Sequence, residues 1–194
     1  LWGTGTLNLP DGSVYKGQFD RGKYHGTGVL VSKDGRKYAG AFQNGVIQGK
    51  GILTSPDGME YNGDFDLGRF SGRGHLFYPD GREYKGDFRN NTIQGQGKLI
   101  YADGTWFEGV FHDGKPDAKG TKKYLDGSSY VGEMKGGKRH GQGIFEAVGG
   151  ERYEGEFVDD KYQGEGTLKY RDGRVYKGEF QGGECNGRGS LQYT

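Results

Sequence analysis

Four histidines, one cysteine and a recurring set of carboxylates are the residues of this 194-residue chain whose types support acid–base, nucleophilic or metal chemistry. His25 and His140 fall at equivalent points of a repeating pattern, whereas His75 and His112 fall at unrelated points of it. No Ser-His-Asp or Cys-His ordering stands apart from the pattern, so no catalytic residue is assigned. Carboxylates return at Asp64, Asp87, Glu133, Glu156 and Glu179, alternating with apolar neighbours. That is the signature of a solvated strand face, not of two carboxyl groups held in contrasting environments for acid–base work. His140 and Cys185 are zinc-ligand types, but ~20 Å of sheet is expected between them. Only an interface between chains would join them, so no metal is assigned. The stretch Gly45-Val46-Ile47-Gln48-Gly49-Lys50-Gly51 comes nearest to a phosphate loop, yet it is one residue short and crosses a hairpin instead of opening a helix. No cofactor is expected.

Binding chemistry is better represented. Lys23, Arg69, Lys115, Lys138 and Lys161 share one repeat position, and Lys50, Arg73, Lys119 and Arg188 share another four residues on. Stacking of repeats is expected to align both sets into a basic ridge, interrupted by Glu165 and Glu184. Such a ridge suits acidic lipid head groups or an acidic partner, each cation adding ~1 kcal/mol near an anionic surface. It equally suits a sheet edge guarded against aggregation. Aromatic residues form the other set: Tyr38, Phe42, Tyr61, Phe65, Tyr84, Phe88 and Phe111, with Ile47, Phe70, Ile93 and Tyr162 extending them at the turn edge. On a single-layer sheet they are expected both to supply the core and to leave an apolar groove for a partner.

The elements that must position these residues follow from the composition and the repeat. Glycine numbers 42 of 194 residues, roughly three times ordinary usage, and only 31% of residues are hydrophobic. Disorder would explain that, were it not for 14% aromatic residues. No apolar run is long enough for a membrane-spanning helix or a signal peptide. A lone cysteine fits a reducing compartment, so a cytoplasmic setting is expected and the sequon Asn90-Asn91-Thr92 is incidental. With a net charge of +1, a nucleic-acid partner is not expected.

Tyr15, Tyr38, Tyr61, Tyr84, Phe107, Tyr130, Tyr153 and Tyr176 stand 23 residues apart without insertion or deletion. With that residue as position 1, positions 3 and 14 are always glycine, and position 12 is glycine except at Ala118. Position 5 is Phe except at Met134, and Asp-Gly closes most units. Residues 1, 3 and 5 alternate with polar ones, as in Tyr15-Lys16-Gly17-Gln18-Phe19, which predicts a half-buried strand; positions 14, 16 and 18 predict a second. The hairpin loop is expected between positions 7 and 12, which would set position 5 opposite 14, 3 opposite 16 and 1 opposite 18. Bulky residues would then face glycines.

Units such as Tyr84-Lys85-Gly86-Asp87-Phe88 and Tyr153-Glu154-Gly155-Glu156-Phe157, followed by Gly-x-Gly and Asp-Gly, resemble MORN (membrane occupation and recognition nexus) repeats. The resemblance covers the whole chain: a partial repeat over 1–14, then repeats starting at 15, 38, 61, 84, 107, 130, 153 and 176, expected to be part of a longer array. It implies an all-β, elongated, twisted, single-layer antiparallel sheet with an aromatic groove, ~75–80 Å long at ~4.8 Å per strand. It also implies a non-enzymatic scaffold, similar to the protist cytoskeletal proteins built of these repeats, which self-associate as homodimers beneath membranes. Two alternatives stand beside this: a peptide- or helix-binding adaptor for motor-associated proteins, and a phosphoinositide or anionic-membrane binder.

Overall fold

The computed structural model describes residues 2–193, and all of their regular structure is β. The chain separates into two contact units, divided between Gly95 and Gln96. The first holds β1 (Gly3–Asn8), β2 (Val14–Asp20), β3 (Lys23–Val31), β4 (Lys37–Gln43), β5 (Val46–Thr54), β6 (Glu60–Asp66), β7 (Arg69–Phe77) and β8 (Glu83–Arg89). Strand β9 (Thr92–Ile100) runs across the division. The second unit continues with β10 (Trp106–His112), β11 (Lys115–Lys123), β12 (Ser129–Lys135), β13 (Lys138–Glu146), β14 (Arg152–Val158), β15 (Lys161–Lys169), β16 (Val175–Gln181) and β17 (Glu184–Gln192). Within each unit every strand pairs antiparallel with its neighbours in the chain, forming a meander one layer thick.

The turn inside each hairpin is tighter than the sequence suggests. It occupies positions 7 and 8 alone, both at positive φ, as in Asn44 (53°) and Gly45 (90°). Two such residues match the right-handed twist of the flanking strands. Their placement is reinforced along the sheet, because the position-8 N–H donates to the position-10 carbonyl of the preceding unit. Gly45 donates to Tyr24 at 2.8 Å, Gly68 to Ile47 at 2.9 Å and Gly183 to Tyr162 at 3.0 Å. At the other end of the strands, Asp supplies more than turn propensity: its carboxylate accepts from the N–H two residues on, as in Asp34 to Arg36 and Asp57 to Met59.

This turn overturns the expected register. Position 3 faces position 14, glycine against glycine, as in Gly17 with Gly28 and Gly63 with Gly74. Position 1 faces 16 (Tyr15 with Leu30), and position 5 faces 10 (Phe19 with Tyr24). The two-residue excess on the second strand is absorbed as a bulge at positions 12 and 13, which lie opposite no residue of their own hairpin. Position 12 pairs instead across to position 5 of the next unit, as Gly26 with Phe42. A bulky residue does face a glycine there, between units instead of within one.

The core of each unit is a file of rings on one face. Tyr15, Tyr61, Tyr84, Phe107, Tyr130, Tyr153 and Phe157 are 0% exposed, though no second layer covers them. Within each unit most position-1 rings are clasped edge-on by position-5 rings of their own repeat and of the next: Tyr61 lies 5.1 Å from Phe65 and 5.0 Å from Phe88. Such pairs add ~0.5–1.5 kcal/mol beyond area burial. The rings therefore seal one another, which is how a chain so poor in aliphatic residues keeps a dry core.

Candidate functional site

Two faces of the sheet compete to be the functional surface, and the geometry separates them. On the aromatic face, the position-1 ring lies flat across the glycine pair of its own hairpin. A Cβ built on Gly63 would stand 2.6 Å from both Gly74 Cα and the Tyr61 hydroxyl. The hydroxyl then donates to the carbonyl of position 4, beside the bulge: Tyr15 to Gln18 at 2.8 Å, Tyr61 to Asp64 at 2.9 Å, Tyr130 to Glu133 at 2.6 Å, Tyr153 to Glu156 at 3.0 Å. Burial pushes the hydroxyls of Tyr38, Tyr61 and Tyr153 up to about 12, with Tyr84 and Tyr130 raised further for the same reason. These tyrosines are neutral donors holding the fold.

Of the residues expected to line an aromatic groove, Tyr38, Phe42, Tyr61, Phe65, Tyr84, Phe88, Ile93 and Phe111 are buried. Phe70, Tyr162 and Ile47 are half-buried. Where position 10 is aromatic its ring lies over the position-1 ring as a lid, Phe70 stacking on Tyr61 at 3.8 Å and Tyr162 on Tyr153 at 3.7 Å.

The opposite face is different. There the paired glycines present bare backbone, and positions 2, 4, 13 and 15 rise on either side. In the second unit this makes a cavity of about 500 Å³ lined by Lys119, Thr121, Val131, Glu133, Gln142 and Ile144, with Gly120, Gly132 and Gly143 among its walls. A second cavity of about 590 Å³ adjoins it, sharing Gln142 and Glu154 and continuing past Glu165, Thr167, Lys177 and Arg188. Together they form a glycine-floored trough crossing β11 to β17 at right angles to the strands. The residues of the trough were not singled out from sequence. The available signal was apolar Val131 and Ile144 at positions where a solvated face should be polar; Val131 is 52% exposed.

With this geometry in view, comparison with known families is decisive: the MORN repeat model matches residues 15–35, 38–60, 61–81, 84–106, 107–129, 130–152, 153–173 and 176–194. The chain belongs to the MORN-repeat family. Each match begins at the residue that opens the 23-residue unit. No curated protein matches the chain. Among solved structures, the TCP domain of SAS-4 (dCPAP) of Drosophila melanogaster, in complex with a proline-rich motif of Ana2 (dSTIL), is 8% identical over 91% of this chain and 90% of its own, with a TM-score of 0.50. The TCP10 domain of CPAP of Danio rerio, in complex with a peptide of STIL of Danio rerio, is 18% identical over 91% and 93%, with a TM-score of 0.35. At 8% identity the first likeness is one of fold alone.

The cations of this MORN array stand at two places along their strands. Lys23, Arg69, Lys115, Lys138 and Lys161 stand directly after the hairpin turn and open their strands. Lys50, Arg73, Lys119 and Arg188 stand at the bulge, opposite position 4 of the next unit where that pairing is described, as Lys50 opposite Asp64. Lys50 is ion-paired with Asp64 at 2.9 Å and Arg73 with Asp87 at 3.6 Å. Lys138 lies 3.8 Å from Asp159. Anionic lipid would have to compete with these carboxylates. His75 meets Glu83 on a neighbouring strand, Cys185 is exposed with the Tyr170 hydroxyl 3.8 Å from its sulfur, and the described residues contain no cluster of three metal-ligating side chains. The stretch resembling a phosphate loop includes the hairpin residue Gly45 and enters β5.

Proposed function

We propose that this MORN array is a non-enzymatic protein-interaction scaffold whose docking surface is the glycine-floored trough, with the aromatic face serving as its core. The observation that carries the reading is the contrast between the faces. Rings on one side are sealed to 0–4% exposure at positions 1 and 5 in most units, while the other side offers a continuous open channel over bare backbone. A channel of that kind suits an extended segment better than a globular surface, because close approach to backbone needs a narrow ligand. The solved complex of the similarly folded SAS-4 domain, with its proline-rich motif, supports an extended occupant.

The test is selection of short peptides from a displayed proteome, followed by competition between variants. Filling the trough with Thr167→Trp or Gln142→Trp should abolish capture of the selected peptides. Phe70→Leu and Ile47→Ala, on the aromatic face, should leave capture intact if the protein remains folded. The opposite pattern would return the site to the aromatic face. Self-association as a homodimer, cytoskeletal or motor-associated partners, and a cytoplasmic position beneath a membrane are finer parts of this proposal, supported by family resemblance. A strict monomer in sedimentation at tens of micromolar would remove the first.

A further inference from the structure

Each repeat is joined to the next by more than its backbone ladder. The position-1 ring reaches across the joint to the position-5 ring of the following repeat: Tyr15 to Phe42, Tyr38 to Phe65 and Tyr153 to Phe180 at 5.0 Å, and Tyr130 to Phe157 at 5.1 Å. An aromatic position 10 adds to this, Phe70 lying 6.0 Å from Phe88 and Tyr162 6.0 Å from Phe180. Its N–H gives a further tie, Phe70 donating to the Asn91 side chain at 2.7 Å and Arg139 to that of Asp160 at 3.0 Å. Leucine at position 16 stands opposite the next position-1 ring, as Leu53 opposite Tyr61 and Leu168 opposite Tyr176.

The joint between β11 and β12 departs from this at every point. Position 5 of the following repeat is Met134, so the ring that would clasp Phe107 across the joint is missing, and Phe107 keeps Phe111 of its own repeat at 5.2 Å. Pro116 has neither an aromatic ring nor an N–H to donate. Lys122 replaces leucine opposite Tyr130, its ammonium lying 4.9 Å from the centre of the Tyr124 ring. Ala118, opposite Met134, holds the bulge at φ 61°, where a residue with a Cβ is strained. The joint keeps its backbone pairing from Ala118 to Lys123, the Gly137 N–H on the Pro116 carbonyl at 2.9 Å, a long bond of 3.4 Å from Gly136 to Asp117, and an edge contact of Tyr124 with Phe145 at 6.1 Å.

We infer that the β11–β12 joint is an opening built into the array: β11 parts from β12 and recloses while the strands on either side stay folded. Local openings occur where the fewest packed contacts must be broken, and here the ring, the lid, the leucine and the extra N–H tie are all lost at one joint. The opening has a consequence for the opposite face. Lys119, Gly120 and Thr121 line the cavity of about 500 Å³ from β11, and Val131, Gly132 and Glu133 line it from β12. Parting the two strands takes that cavity apart, so the joint governs how much of the time the cavity exists.

The experiment is native-state hydrogen exchange of the whole chain, read by mass spectrometry on peptic fragments at several low urea concentrations. Fragments from β11 and β12 are expected to exchange roughly tenfold faster than those from β5 and β6, at a rate that low urea barely changes, the mark of a small opening. The combined variant Pro116→Tyr, Lys122→Leu, Met134→Phe restores the missing contacts and should slow β11 and β12 about tenfold while leaving β5 and β6 unchanged. Ala118→Gly adds no bulk and relieves only the strained bulge, so it should slow the same fragments by about threefold even if the combined variant folds poorly. In the other direction, Phe65→Met removes the ring across the β5–β6 joint and should speed exchange there alone. Equal exchange of β11–β12 and β5–β6 overturns the inference. So does a steep urea dependence shared by all strands, or a slowing by Ala118→Gly that is uniform along the chain.

Discussion

Tyr61 shows how one residue type serves two purposes at once. Its ring fills the space that Gly63 and Gly74 vacate, and its hydroxyl caps the carbonyl of Asp64 beside the bulge. Phenylalanine would keep the packing and orphan the carbonyl, which costs ~1 kcal/mol. Tyr61→Phe should therefore lower the urea-unfolding free energy by about that amount, with an unchanged m-value. Gly63→Ala is a harsher change, since its Cβ would meet backbone as well as the Tyr61 hydroxyl. About 3 kcal/mol of destabilisation is expected from such overpacking, read in the same denaturation experiment. Phe107 is the natural control: the position-1 residue lacking a hydroxyl, it still lies across Gly109 and Gly120. The ring was legible from the 23-residue spacing. The hydroxyl was not, although the preference for Tyr over an equally large Phe at position 1 was a visible sign of a hydrogen bond.

At the scale of the hairpin, the bulge explains why glycine recurs at position 12. That position has positive φ throughout, 63° at Gly26 and 90° at Gly49, and Ala118 holds it at 61°. An alanine there is strained, so Ala118→Gly should stabilise the protein despite adding backbone freedom to the unfolded chain. The net gain is about 1 kcal/mol, seen as a raised melting temperature; an unchanged or lowered one would mean the bulge is not rigid. β11 departs from its repeat elsewhere too, with Pro116 where three other repeats stack a ring and Lys122 where most carry leucine. The strands and the Asp-Gly turns were readable because period-2 alternation and turn chemistry are local. The register was not, because it depends on where two extra residues are absorbed. Placing the loop at positions 7–12 ignored that Asn44-Gly45 and Asp113-Gly114 alone complete a tight turn; Leu67, exposed at 70% and at φ 49°, hides the same turn behind an unsuitable residue. The trough shared that fate, because its lining residues come together only across neighbouring strands.

For the molecule as a whole, a core made of tyrosine gives stability an alkaline limit. Burial raises Tyr38, Tyr61 and Tyr153 to about 12, above the ordinary value of 10.0. A raised value in the folded state means that the contribution is complete below about pH 10. It is lost between about pH 10 and 12, as unfolded tyrosines ionise and folded ones resist. The urea midpoint should be level through neutral pH and fall across that window, together with the rise of tyrosinate absorbance. A midpoint that stays level to pH 12 would mean that these rings are not buried. The same sealing of the rings turns this MORN array's available surface to the other side. The most direct measurement of that claim is amide and methyl NMR shift mapping of the chain with a display-selected peptide. Shifts confined to Thr121, Val131, Ile144, Thr167 and their glycine neighbours are predicted; shifts centred on Ile47, Phe70 and Tyr162 would contradict the account.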